Sequence, residues 1–232
     1  WLANAASAMV ATAPVGGRTL VLIDANVNGR YDDVGVDLIV QKSGPASVPL
    51  TDIVRIGDAL FDTIVDPSGL MASFRRYAGP VGALEVETAF RDRVGIEYLY
   101  LRSATCAAII DRYDLGRPIT LPAGRYELVQ GRVGDGERFV RVDCVEPHER
   151  GKLVAANGQA QWPEIVAVEI QPNRTHRLAL GGPLQVVPWV LTPGFERSKT
   201  IALHLMVLGQ SGERYRDVPL DGKPRAPLPE VA

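Results

Sequence analysis

The chain has 232 residues, 46% of them hydrophobic, with 25 Lys and Arg set against 27 Asp and Glu for a net charge of −2. That length buries one large or two small cores, and the charge balance lacks the basic excess of a nucleic-acid binder. No run of about 18 apolar residues is present to form a transmembrane helix, and 23 glycines and 17 prolines spread along the chain punctuate short strands and oppose long helices.

Trp1 stands where a methionine would, which points to a processed or partial chain. Leu2 to Pro14 is alanine-rich and reads as a short helix or a linker. Arg18 to Ile23 and Asp37 to Gln41 are short, apolar and rich in β-branched residues, so both are expected as strands.

Between them lies the most informative stretch. Asp24, Asn26 and Asn28 place oxygen-bearing side chains at alternate positions before Gly29, and Asp32, Asp33 and Asp37 follow it. Alternate side chains turn inward while the glycine permits a sharp bend, which is how one loop wraps a hard cation that wants about six to eight oxygens. Asp24, Asn26 and Asn28 are the first expected ligands, the main-chain carbonyl of Arg30 the next, and Asp32, directly or through water, another. A polar hairpin tip without metal is the competing reading, because Asn, Asp and Gly favour turns on their own account.

The stretch resembles the D-x-[DN]-x-[DN]-G loop of EF-hands, dockerins and thrombospondin type 3 repeats. It looks most like the D-x-N-x-N-G-x-Y-D versions of secreted bacterial surface proteins. The likeness covers about fourteen residues; it implies Ca2+ and a secreted, periplasmic or cell-surface location. In the EF-hand register the twelfth position calls for a bidentate Glu. Gly35 stands there, so the closing ligand is expected at Asp37, with Asp33 second. Strands on both sides make the loop a structural clamp rather than a helical sensor.

Val54 to Val65 and Leu70 to Tyr77 read as a hairpin around Asp66, Pro67, Ser68 and Gly69. Gly79-Pro80 marks a boundary. In Ala83 to Phe90, Leu84 and Val86 face one way and Glu85 and Glu87 the other, the pattern of a half-buried strand with a solvated face. Ile96 to Leu101 is a further strand. Pro122 and Gly124 form a corner, and the string L-P-A-G-x-Y-x-L from Leu121 to Leu128 resembles the corner of prealbumin-like and carboxypeptidase-regulatory-like β-sandwich modules. That resemblance implies a buried Tyr126 ring whose hydroxyl ties back to the main chain, as in the tyrosine corner of immunoglobulin-like domains. Tyr126 to Val133 and Arg138 to Val145 pair around Gly134, and Ile165 to Ile170, Arg177 to Leu180, Leu184 to Val187 and Ile201 to Leu208 continue the series of strands.

Cys106 and Cys144 are the only cysteines. They read either as one disulfide in an oxidising compartment or as two buried thiols. No catalytic signature is present: Gly209-Gln210-Ser211-Gly212 lacks the spacing of a nucleophile elbow and reads as a turn. His148, His176 and His204 have no second histidine at helical ligand spacing. Trp162 and Trp189, each beside a proline, stack on sugar rings if exposed and fill the core if not.

The expectation is an all-β protein: a calcium-clamped β-unit over residues 1–78, an immunoglobulin-like or prealbumin-like antiparallel sandwich over 79–220, and an extended proline-rich tail over 221–232. Its expected role is a non-catalytic structural or protein-interaction module with other protein subunits as partners. A glycan-binding module is the alternative and a hydrolase the third reading.

Overall fold

The structure is a computed structural model that describes residues 10–15, 18–42, 47–89, 95–134, 139–144, 153–155, 166–191 and 203–216. The expected tail at 221–232, His148 and Trp162, and the side chains of Trp189 and His204, lie outside what it describes. The described residues are all β, without a helix, as the punctuated apolar runs predict.

Strands β1 (Val10–Val15), β2 (Arg18–Ile23), β3 (Leu38–Gln41) and β4 (Ser47–Pro49) form an antiparallel sheet in that order. Of the stretch Leu2 to Pro14, expected as a helix or linker, residues 2–9 lie outside the described residues, and from Val10 on the chain instead pairs along the whole of β2. Alanine's helix preference is a weak prior, and Val10, Thr12 and Val15 beside an open strand edge outweigh it.

The second sheet has 12 strands. Its members are β5 (Ile53–Ile56), β6 (Ala59–Val65), β7 (Ala72–Arg76), β9 (Gly95–Arg102), β10 (Cys106–Asp111), β12 (Gly124–Gly134), β13 (Phe139–Asp143), β14 (Leu153–Ala155), β15 (Ala167–Ile170), β17 (Gln185–Leu191), β18 (Leu203–Leu208) and β19 (Arg214–Arg216). The order is β14-β17-β18-β19-β13-β12-β9-β10-β5-β6-β7, with β15 on β12. A third sheet sets β8 (Val81–Thr88) between β11 (Ile119–Pro122) and β16 (Thr175–Leu180). Most neighbours are antiparallel; β10 with β5 and β16 with β8 are parallel.

Alternation decides the cores. Leu84, Val86, Ile119, Leu121, Leu178 and Leu180 of the third sheet join Leu99, Leu101, Ile110, Tyr126 and Leu128 of the large sheet in one buried cluster. Each such side chain stabilises the fold by about 1.5–3 kcal/mol relative to exposure. Leu20, Leu22 and Ile39 of the first sheet meet Val54, Ile56 and Val65, with Tyr31 and Leu50, in a second. Ile53 and Leu60 belong to the first cluster, so β5 and β6 have a buried face on each side. The ladder runs across the Gly79-Pro80 position, because β5 lies against β10.

That junction carries a buried ion pair. Both terminal nitrogens of Arg55 on β5 donate to Asp114, each at 2.7 Å, with side chains 7% and 5% exposed. Tyr126 follows its corner with a fully buried ring. Its hydroxyl does not tie back to the main chain but lies beside the Cys106 thiol and Ser103. Cys106 and Cys144 are thiols rather than a disulfide, and burial pushes Cys106 up to about 11.

Candidate metal centre

Ile23 and Leu38 are paired at the ends of β2 and β3, so Asp24 and Asp37, one step further, face each other at the neck of the loop. Both are buried, at 7% and 1% exposure. Asp37 staples the loop from inside: its Oδ1 accepts from the Ala25 N–H at 3.1 Å and its Oδ2 from the Asp33 N–H at 2.9 Å. Asp24 does the same for the first bend, accepting from the Asn28 N–H at 3.2 Å and the Gly29 N–H at 2.8 Å. The far side is stitched to the neighbouring segment, where the Gly35 N–H donates to the Leu50 carbonyl and the Leu50 N–H to the Asp37 carbonyl.

Asp33 is the hub. Its Oδ2 accepts from the side-chain amides of Asn26 at 2.8 Å and Asn28 at 2.6 Å. These two bonds hold its carboxyl below the usual carboxylate range. Asp37 moves the other way, raised by burial first and by the charges of Asp33 and Asp24 after it. Two carboxylates are thus buried at the neck with Asp33 on the exposed side of the same loop, and the deepest of the three resists ionisation.

The backbone is bent hard to do this. Gly29 and Gly35 have φ of 82° and 83°, and Val27, a β-branched residue, has φ of 58°, a left-handed conformation that costs a non-glycine residue about 1–2 kcal/mol. Asp32 turns away from the hub and gives both oxygens to Arg30, at 3.1 and 2.8 Å. Of the expected ligands, Asp24, Asn26, Asn28, Asp33 and Asp37 therefore share one hydrogen-bonded loop. The Arg30 side chain points outward to Asp32, while its N–H donates to Asn28 Oδ1 at 2.7 Å.

The donor set fits a hard cation in kind: carboxylates, two carboxamides and a main-chain carbonyl. Among the described residues no group of three or more His, Cys, Asp or Glu is arranged to hold a metal ion. In this arrangement amide hydrogens of Asn26 and Asn28 meet Asp33 where a cation would sit. A half-turn of each carboxamide would present oxygen in place of nitrogen, and it gives up the bonds that Asn26 Oδ1 and Asn28 Oδ1 accept from the Asn28 and Arg30 N–H groups at 3.2 and 2.7 Å.

Tyr31 was absent from the expected site and supports it. It is buried at 4% exposure in the second core, and its N–H donates to the Pro67 carbonyl at 3.0 Å. A lone aromatic in the middle of an acidic loop was the signal. Elsewhere, Arg177 reaches Glu85 and Glu87, both at 3.4 Å, on the outer face of β8, and His176 Nε2 accepts the Gln171 N–H at 2.9 Å. Compared with known families, with characterised proteins and with solved structures, the chain shows no match.

Proposed function

We propose that the chain is an extracytoplasmic, non-catalytic structural or protein-interaction module whose first β-unit is clamped by calcium. The observation that carries the clamp is the meeting of Asn26 and Asn28 at Asp33, inside a loop whose neck is closed by Asp24 and Asp37. Side-chain oxygens of these five residues and the Arg30 carbonyl would hold the ion, with Asp32 left to Arg30.

The ion's work there is electrostatic. Burial first, and the charges of Asp33 and Asp24 after it, raise the Asp37 carboxyl, and a divalent charge among these carboxylates would turn repulsion into attraction. With Gly35 in place of the bidentate Glu, the site suits the weak range of extracellular modules, about 10⁻⁴–10⁻³ M, which favours a calcium-rich compartment. Partners would be other protein subunits, with the ion stiffening a module rather than reacting.

Thermal unfolding and titration calorimetry test this reading. Binding the folded form alone at about 100 times the dissociation constant adds about 2.7 kcal/mol. That raises the midpoint by roughly 5–10 °C for a chain of this size, chelator reverses the rise, and Mg2+ gives less. A midpoint indifferent to calcium and to chelator removes the clamp.

A further inference from the structure

We infer that β7 is a pairing edge through which two copies of this chain join antiparallel, with Phe74 on the two-fold axis. The strand ends the large sheet, with β6 on one side only. The Tyr77 N–H donates to the Leu60 carbonyl and the Asp66 N–H to the Met71 carbonyl. With the register from Val65↔Ala72 to Phe61↔Arg76, Ser73 and Arg75 point their main-chain groups at β6, while those of Ala72, Phe74 and Arg76 point outward. An unpaired row of this kind is a template for another strand.

The other described edges are blunted. Pro14 takes a main-chain donor out of β1, Pro49 ends β4 and Pro122 ends β11; β14 and β15 are three and four residues long. The outer side of β16 is covered by the turn after β18: the Gln210 N–H donates to the Gly181 carbonyl, and Ser211 Oγ and Gln210 Nε2 to the carbonyls of Ala179 and Leu180. Among the described residues β7 has no proline, bulge or covering segment, and it leads out of Leu70 and Met71, exposed at 87% and 70%.

Its sequence suits itself. In antiparallel pairing about Phe74, Ala72 meets Arg76 of the copy and Ser73 meets Arg75, so each outward donor finds an outward acceptor and no arginine faces another. Arg75 is already answered by Asp62 at 3.1 Å, and Arg76, over the Phe61 ring at 5.9 Å, meets Ala72 of the copy rather than a second arginine. Just past the ladder Met71 meets Tyr77 of the copy. The inference rests on the interaction part of the proposed function and not on the calcium clamp.

Sedimentation equilibrium on the full chain, in calcium and in chelator, tests it with two variants at exposed Ser73. The expected result is a weak monomer–dimer equilibrium, as befits an interface below about 1,200 Å². Ser73→Arg sets like charges opposite Arg75 of the copy and loosens the dimer; Ser73→Asp sets unlike charges there and tightens it. Each shifts the dissociation constant by roughly three- to tenfold, since the pair occurs twice by symmetry. A monomer up to about 1 mM, or a dimer whose constant both variants move in the same direction or leave unchanged, overturns the proposal. Melting of the same samples reads the clamp separately: a calcium shift without a dimer removes the edge pairing and leaves the clamp standing.

Discussion

The ring of Tyr31 and the main chain of Gly69 touch with no room for a methyl group between them. A Cβ on Gly69 would sit 2.7 Å from Cγ and Cδ2 of Tyr31, and Gly69 has φ of 71°. The tip of the β6–β7 hairpin is thus seated on the aromatic residue of the candidate metal loop. Gly69→Ala combines a strained backbone with a collision against a buried ring, so we expect a loss of about 2–4 kcal/mol, seen as a lower thermal midpoint. Because Tyr31 anchors the loop, calorimetry should show weaker calcium binding in the same variant.

Asp32 and Asp33 are neighbours with opposite expected roles. Asp33→Asn removes the carboxylate that both carboxamides reach and should cut calcium affinity roughly tenfold or more. Asp32→Asn disturbs only an exposed pair with Arg30 and should leave the calcium-induced rise in midpoint intact. Equal loss in both variants would show that the hub is misassigned.

The Arg55–Asp114 pair should govern part of the acid limb. Burial alone pushes the Asp114 carboxyl up, but the bonds from Arg55 outweigh it and hold the group below its ordinary 3.8. A depressed folded value means that the stability it contributes is present above about pH 4 and is lost as pH falls through that lower value. Asp114→Asn should cost about 3 kcal/mol near neutrality, since it leaves the buried Arg55 guanidinium with only the Ile109 carbonyl and the exposed Asp58 at 3.3 Å. It should also flatten the fall in stability below pH 4, as read from denaturant titrations at several pH values.

Glu213 is fully buried and binds three donors: the Gly181 N–H at 2.7 Å, the Ser211 N–H at 3.0 Å and the Tyr215 hydroxyl at 2.7 Å. Its carboxylate lies against Gly209. Glu213→Gln replaces one acceptor oxygen with a donor, so an N–H is left facing an N–H. The expected cost is about 1–3 kcal/mol, measured as a drop in urea midpoint at unchanged slope.

Strand positions were legible because alternation is local: Leu84 and Val86 face inward while Glu85 and Glu87 face Arg177, as their spacing predicts. The partners of those strands were not legible. Nothing near Ile53 or Cys106 announces that β5 and β10 lie side by side in parallel, since pairing across fifty residues depends on which faces remain to be buried. At Val10 to Val15 the reading failed although the partner is next in the chain: Val15 pairs with Arg18, and six residues of pairing along β2 outweigh the helix preference of alanine.

The amino-acid order by itself determined the all-β class and the chemistry of the acidic loop, because side-chain period and oxygen content are properties of short segments. Only the three-dimensional structure decided which carboxylate gathers the two carboxamides. Asp33 rather than Asp32 meets Asn26 and Asn28, for the left-handed bends at Val27 and Gly29 and the grip of Arg30 on Asp32 set the directions of the side chains. The seat for Tyr31 arises likewise, where a distant hairpin brings Pro67 and Gly69 against the loop.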